Sequence, residues 1–295
     1  MRANIWGNMS NSPIKIQITI QGGGAKFVTM LPAARAFADQ RKHGHIHITR
    51  LSGASAGSIV AALIAVNANF PSLNNFLKTK ARQYVKRMKG PLRWLPRCLQ
   101  KPLFVFKVWW GWSVVHPELL KEFLLEMFSS SCVDLMDINP NIREITIGEV
   151  KRHFKCDLKI ALCSLEKLHG HEALDDHLLI DALVDSCSIP LFFRNVKNLA
   201  PGQFVDGGLC ENLPTSNLFN DMDTYGDLFA ITTIDKSTSN IRSAFDLMMA
   251  VFGASVNHNV KRSMDLVGGT LNVPVPRKLV HLISMEPWHF AKIKT

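Results

Sequence analysis

The chain has 295 residues, enough for one large α/β domain with a well-buried core or for two small domains. Apolar residues make up 47% of the sequence and charged residues 20%, which is typical of a globular protein and excludes a disordered or membrane-spanning chain. The net charge of +10 is concentrated in residues 40–117, which contain thirteen Lys or Arg and no Asp or Glu. Such a basic block indicates a phosphate-rich partner, either an anionic membrane or a nucleic acid.

The N-terminal sequence and the spacing of the cysteines indicate the compartment in which the protein acts. Residues 1–13 contain one Arg and no apolar segment, so we expect a short N-terminal extension without a Sec-type signal peptide. The Cys residues form no C-x-x-C pair, so we predict no metal site and no cofactor. Most of them lie in apolar surroundings, where we expect buried, reduced thiols, and this favours a reducing compartment. These features fit a cytoplasmic or peripheral membrane protein, or one exported without a Sec signal. The cysteines are Cys98, Cys132, Cys156, Cys163, Cys187 and Cys210.

The first predicted strand, Ile14 to Ile20, alternates apolar and polar residues as a strand with one buried face should. It leads into Gly22-Gly23-Gly24-Ala25-Lys26 and then into a helical pattern that starts at Phe27. Three glycines before a helix N-terminus leave backbone N–H groups free to bind one anion. The known nucleotide motifs do not fit, because the Walker A pattern is incomplete and Phe27 stands where a dinucleotide fingerprint needs its last glycine.

A nucleophile-elbow pattern follows the second predicted strand, residues 45–50. The sequence Gly53-Ala54-Ser55-Ala56-Gly57 joins this strand to a predicted helix that starts at Ser58. A serine between two glycines at such a junction is held in a sharp, strained turn, and Gly53 and Gly57 allow the strand and helix to approach closely. The helix N-terminus would stabilise an oxyanion at this position. The pattern fixes only three positions, so a chance match stays open at this point.

Residues 78–115 combine basic and aromatic side chains. Apolar residues at helical spacing from Leu73 to Met88, with Lys and Arg on the other side, predict a basic amphipathic helix. A Pro- and Trp-rich segment follows, and its apolar stretch from Leu103 to Val115 is too short to span a bilayer. Two interpretations stay open: a covering layer on the sheet, or an interfacial lid on anionic lipid. No nucleic-acid-binding motif accompanies the block, so we expect no nucleic-acid partner.

The second half of the chain alternates predicted helices and strands. The carboxylate of Asp206 follows a short predicted strand and precedes Gly207 and Gly208, which places it at a sheet edge with open space beside it. We find no internal repeat or linker and therefore predict a single domain over residues 14–295. The other expected elements are helices over 117–128, 178–184 and 241–256, strands over 158–165, 228–234 and 274–283, and a strand that enters a short helix over 145–153.

Ester hydrolysis by a serine needs a nucleophile on a turn, a base and oxyanion donors, and Ser55, Asp206 and the Gly22 to Gly24 backbone can supply them. The order of these motifs resembles that of the patatin-like phospholipase family. The matching segments are the glycine-rich loop with Lys26, the elbow, the block from Ser186 to Phe193, and the D-G-G motif Asp206-Gly207-Gly208 with Asn212 and Pro214.

The resemblance implies an α/β fold with three α/β/α layers, in which a central, mostly parallel sheet carries helices on both faces. It implies a lipid acyl hydrolase of the phospholipase A or lysophospholipase type, in which Ser55 is acylated, Asp206 is the base, and Gly22, Gly23 and Gly24 with Lys26 form the oxyanion hole. The expected partners are a phospholipid or other acyl-ester lipid as substrate and an anionic membrane surface.

Two alternatives remain open. A Ser-Asp-His triad of the α/β-hydrolase type would use Ser55, Asp206 and either His281 or His289, although only two strands precede Ser55 where that fold has several. The other alternative is a lipid-binding regulator with a vestigial site, in which the basic, aromatic block makes the contacts.

Overall fold

The computed structural model describes residues 12–24, 27–89, 117–167, 169–190, 193, 203–219, 222–234 and 244–274. Lys26, residues 90–115 of the basic, aromatic block, and both His281 and His289 lie outside the described residues. The strand expected over 274–283 also lies outside them, except for its first residue.

One mixed sheet forms the centre of the fold, with the strand order β4-β3-β2-β1-β6-β7 and β5 paired to β3. The pairs within β3-β2-β1-β6-β7 are parallel, whereas β4 and β5 run antiparallel to β3. The strands are β1 (Ile14–Ile20), β2 (Ile46–Ala54), β3 (Asp157–Ser164), β4 (His169–Glu172), β5 (Phe204–Asp206), β6 (Asp227–Ile234) and β7 (Gly269–Pro274).

Helices connect and cover these strands. A π-helical turn, Leu77–Ala81, divides the amphipathic helix expected from Leu73 to Met88 into two. The α-helices are α1 (Phe27–Lys42), α2 (Ala56–Ala65), α3 (Phe70–Phe76), α4 (Arg82–Lys89), α5 (Pro117–Ser131), α6 (Ile147–Phe154), α7 (Leu179–Ser186), α8 (Met222–Tyr225) and α9 (Ala244–Met264). Short 3₁₀ turns are Val133–Asp137, Ile142–Glu144 and Gly207–Leu209.

The arrangement confirms the predicted three-layer α/β fold with a mostly parallel sheet. Within the described residues, no helix combines the length and the apolar character that a membrane span requires. Arg41 in the last turn of α1 donates hydrogen bonds to the carbonyl oxygens of Ile64 and Ala65 at the end of α2 (both 3.3 Å) and of Phe154 at the end of α6 (2.7 Å). One cation thereby binds the C-terminal ends of two further helices, where the helix dipole favours positive charge.

Two local predictions were wrong. The alternation in β1 predicted one buried face, yet Gln17 and Thr19 are fully buried because both faces of the central strands are covered. Gln17 accepts a hydrogen bond from Nε of the buried Arg50 at 2.6 Å, so its polar group is satisfied. Residues 145–153 do not begin with a strand: Thr146 forms a single bridge to Leu178 and caps α6.

Candidate active site

The turn at Ser55 has the geometry of a nucleophile elbow. β2 ends at Ala54 and α2 begins at Ala56, so Ser55 alone forms the junction. Its φ of 51° and ψ of −130° are a conformation that an L-residue other than glycine rarely adopts, and such strain of about 1–3 kcal/mol persists only where the surroundings impose it. A side chain at Gly53 would collide with the Gly57 carbonyl, and one at Gly57 with the Ile20 carbonyl. The glycines therefore permit the close crossing of strand and helix.

Asp206 lies beside Ser55 because β2 and β5 occupy the same edge of β3 in succession. β2 pairs with β3 as far as Ala54, which stands opposite Ala161. From the next residue of β3, Leu162, the partner is β5, with Asp206 opposite Leu162. β4 occupies the other edge of β3 over these residues. Two consecutive residues of β3 therefore position the two sides of the site. Ala161 pairs with Ala54, the residue before the serine, and Leu162 pairs with Asp206.

Ser55 and Asp206 are in direct contact. The Ser55 hydroxyl donates a hydrogen bond of 2.7 Å to Oδ2 of Asp206, and Oδ1 accepts one of 2.7 Å from the backbone N–H of Gly208. Only 6% of Ser55 and 4% of Asp206 is exposed. Burial raises the pKa of Asp206 to about 6, and the hydrogen bonds from Ser55 and Gly208 oppose that rise. The carboxylate is therefore a stronger base than an ordinary aspartate.

Ser186, at the end of α7, supports the backbone of the elbow. Its Oγ accepts a hydrogen bond of 2.9 Å from the Ser55 N–H and donates one of 2.7 Å to the Ala161 carbonyl. Because the Ser55 N–H is buried and α2 cannot use it, this hydroxyl satisfies a donor that would otherwise lack a partner. The sequence analysis included Ser186 in a motif block but assigned it no role. Its hydrogen bonds indicate that it supports the backbone of the elbow.

The glycine-rich loop approaches the same serine, but its three glycines differ. The Gly22 N–H donates to the carbonyl of Asn212 at 2.8 Å, so it is not free to bind an oxyanion, and the prediction that it is a donor needs correction. Gly22 instead packs beside Ser55, since an added Cβ would lie 3.2 Å from Ser55 Cβ. Among the described residues, the N–H groups of Gly23 and Gly24 have no acceptor. They remain the candidate donors, whereas Lys26 lies outside the described residues.

Asn212 connects this loop to the segment that carries the carboxylate. Besides its carbonyl bond to Gly22, its side-chain Nδ2 donates to the Gly22 carbonyl at 3.4 Å. On the same segment, a side chain at Gly207 would collide with the Ala161 carbonyl, so β5 can turn sharply only with glycine there. Residues 206–212 therefore position both the carboxylate and the glycine-rich loop.

The described part of the basic block is partly neutralised. Lys80 pairs with Glu126 of α5 at 3.1 Å, and Arg87 pairs with Glu122 at 2.8 Å. Three further cations of the same stretch are exposed and form no ion pair with a described residue: Lys78, Arg82 and Lys86. The free positive charge is thus smaller than the sequence count indicates.

Comparison with known families decides the class of the protein. The family model described as patatin-like phospholipase matches residues 18–219. The chain belongs to the patatin-like phospholipase family. The matched range contains the glycine-rich loop, the elbow and the D-G-G motif, and it confirms the resemblance predicted from these motifs. Membership of this patatin-like family supports a lipid acyl hydrolase activity in general terms.

Three solved structures are similar to this chain at low sequence identity. VipD from Legionella pneumophila is 15% identical with a TM-score of 0.40, over 84% of this chain and 55% of that chain. A chain of the SpcU–ExoU complex from the type III secretion system of Pseudomonas aeruginosa is 16% identical with a TM-score of 0.37, over 88% and 54%. The type III effector protein ExoU is 13% identical with a TM-score of 0.39, over 95% and 51%. This patatin-like chain spans about half the length of these structures, and comparison with curated protein sequences finds no match.

Proposed function

We propose that this patatin-like protein hydrolyses acyl esters of phospholipids or lysophospholipids, with Ser55 as nucleophile and Asp206 as general base. The observation that carries the proposal is the 2.7 Å hydrogen bond between Ser55 Oγ and Asp206 Oδ2, at a serine held with φ at 51°. A serine strained into a turn and bonded directly to a buried carboxylate has the arrangement of an activated nucleophile.

The proposed reaction has two stages. Asp206 accepts the proton of the Ser55 hydroxyl as Oγ attacks the ester carbonyl carbon, and the N–H groups of Gly23 and Gly24 bind the resulting oxyanion. Asp206 then gives its proton to the departing alcohol, which leaves an acyl group on Ser55. A water molecule releases the fatty acid in the second stage, again with Asp206 as base. A pKa of about 6 suits both directions, because the carboxylate is ionised at neutral pH and can still hold a proton transiently.

A fluorophosphonate probe tests the nucleophile, and release of fatty acid from phosphatidylcholine and lysophosphatidylcholine tests the reaction. We expect the wild-type protein to be labelled at Ser55 and to hydrolyse at least one lipid, and Ser55→Ala and Asp206→Asn to lose activity by at least 10³-fold. Ser130→Ala and Asp181→Asn are matched controls, because these side chains lie in α5 and α7 and contact Met127 and Lys121 rather than the dyad. A folded wild-type protein without label and without hydrolysis would contradict the proposal and favour the regulator.

The direct contact of the two side chains supports a dyad over a triad. The double variant of His281→Ala and His289→Ala separates the two mechanisms. A dyad predicts activity within a few-fold of wild type, whereas loss comparable to that of Asp206→Asn would favour the triad.

We also propose contact with anionic membranes through Lys78, Arg82 and Lys86, the exposed cations that form no ion pair with a described residue. Each exposed Lys or Arg near an anionic surface contributes about 1 kcal/mol, so reversing three of them should weaken binding by at least 100-fold. Vesicle flotation with phosphatidylserine measures this for the Lys78→Glu, Arg82→Glu, Lys86→Glu variant. The matched control reverses three exposed cations elsewhere: Lys42, Lys261 and Arg262. Equal loss in both variants would show a net-charge effect only and would contradict a specific surface.

A further inference from the structure

Two cysteine side chains meet behind the D-G-G motif. Cys163, in β3, is 6% exposed, and Cys210 follows the Gly207–Leu209 turn and is half-buried. The Cys210 thiol is directed at the sulfur of Cys163, with 2.8 Å between the two Sγ atoms. The other cysteines among the described residues, Cys132, Cys156 and Cys187, are buried and free. Cys163 and Cys210 are therefore distinguished from the remaining thiols by their proximity.

The room for this contact comes from Gly170. In the antiparallel β3–β4 pair, Gly170 lies opposite Cys163 and has no side chain. Cys210 occupies the vacant space, since an added Cβ at Gly170 would lie 3.4 Å from Cys210 Cβ. The backbone thus brings the two sulfur atoms together without any rearrangement of the sheet.

Access from solvent differs between the two thiols. Cys210 lines a cavity of about 310 Å³, together with Gly170, His171 and Glu211, whereas Cys163 does not line it. Burial raises the pKa of Cys163 to about 12, and the neighbouring Cys210 adds to the rise. A small molecule in the cavity would therefore meet Cys210 first, with Cys163 directly behind it.

We propose that Cys163 and Cys210 form a reversible disulfide by exchange with a small disulfide oxidant. The Cys210 thiol gives its proton to water, and its thiolate attacks one sulfur of the oxidant and displaces the other as a thiolate that takes up a proton, which gives a mixed disulfide on Cys210. Cys163 then gives its proton to water and attacks Cys210 Sγ, and the displaced thiolate takes up a proton and leaves as the second thiol. Two protein thiols are oxidised to one disulfide, and the oxidant is reduced to two thiols.

The bond would fasten the segment that carries the candidate base to the strand that positions it. Cys210 follows Asp206 by four residues, and Cys163 adjoins Leu162, the residue opposite Asp206. A crosslink between positions 163 and 210 closes a long loop, which constrains the unfolded chain. Because the sulfur atoms are already adjacent, closure leaves the Ser55–Asp206 contact unchanged. The oxidised protein should therefore melt ~5 °C higher and retain its acyl hydrolase activity.

Thiol mapping of the 295-residue chain tests the proposal independently of lipid hydrolysis. The folded protein is equilibrated with oxidised glutathione, free thiols are alkylated, and peptides are identified by mass spectrometry. We expect a 163–210 crosslinked peptide that disappears on reduction, and the rise in melting temperature should disappear with it. Cys163→Ser and Cys210→Ser should abolish both, whereas Cys156→Ser should retain both. A stable glutathione adduct on Cys210, crosslinking to another cysteine, or unmodified thiols would each overturn the proposal.

Discussion

The buried carboxyl group of Asp206 allows a test of the site that needs no substrate. Burial raises its pKa from the ordinary 3.8 to about 6. Folded Asp206 therefore keeps its proton to a higher pH than the unfolded chain does, and folding takes up a proton between about pH 4 and pH 6. The contribution of this group to the free energy of unfolding is fully present below pH 4 and is lost as the pH rises through 6.

A pKa difference of about 2 corresponds to about 3 kcal/mol of stability. Asp206→Asn removes the ionisation and keeps an oxygen that can accept the Gly208 N–H. Between pH 4 and pH 7, the wild-type protein should therefore lose about 3 kcal/mol relative to Asp206→Asn. Urea denaturation followed by circular dichroism at several pH values measures the difference.

Two controls accompany this measurement. Asp181→Asn removes a carboxylate of α7 that pairs with Lys121 at 2.5 Å and leaves the contacts of Asp206 in place, so this variant should still show the loss of stability that Asp206→Asn lacks. Ser55→Ala removes a hydrogen bond that lowers the pKa of Asp206. In that variant, the decrease in unfolding free energy should therefore occur at a higher pH than in the wild-type protein. Parallel curves for wild type and Asp206→Asn would refute the argument that burial destabilises the ionised carboxylate.

Three further predictions concern the elbow and its support. In hydrolysis assays, kcat/KM should rise with pH through about 6, because Asp206 must be ionised to accept the serine proton; a flat profile from pH 5 to 8 would contradict this. Ser55→Gly should be more stable to urea than Ser55→Ala by about 1–3 kcal/mol, because glycine accepts the φ of 51° without strain; equal stabilities would argue against strain at this turn. Ser186→Ala should lower kcat by at least tenfold and leave KM almost unchanged, because it orphans the Ser55 N–H. Ser188→Ala is the control for the loss of a buried hydroxyl. Ser188 is equally buried, and its hydroxyl donates to the carbonyl of Val184 in α7.

The local parts of the site were predictable from sequence. The elbow needs glycines at 53 and 57 and a strand and helix around them, and all of these are adjacent in the chain. The same holds for α1 and the apolar pattern that starts at Phe27. Neighbouring residues determine such features because they depend on backbone conformation and on one hydrophobic period.

The non-local parts were not predictable from these patterns. The sequence around Asp206 does not indicate that β5 pairs with β3 on the edge that β2 occupies further along. The pairing of β5 with β3 joins segments about forty residues apart. β4 was missed because His169–Glu172 contains no apolar residue and lies at the edge of the sheet. The occupied N–H of Gly22 also depends on a long-range contact, with Asn212.

Residues 206–212 link two of the three components that ester hydrolysis requires. Asp206 accepts a hydrogen bond from Ser55, the candidate nucleophile, while the carbonyl of Asn212 binds the first glycine of the loop that carries the candidate oxyanion donors. β3 positions the start of this segment through Leu162 and the last strand residue before Ser55 through Ala161. Because the carboxylate and the loop share one segment, and the segment and the elbow share one strand, β3 positions Asp206, Ser55 and the glycine-rich loop relative to one another.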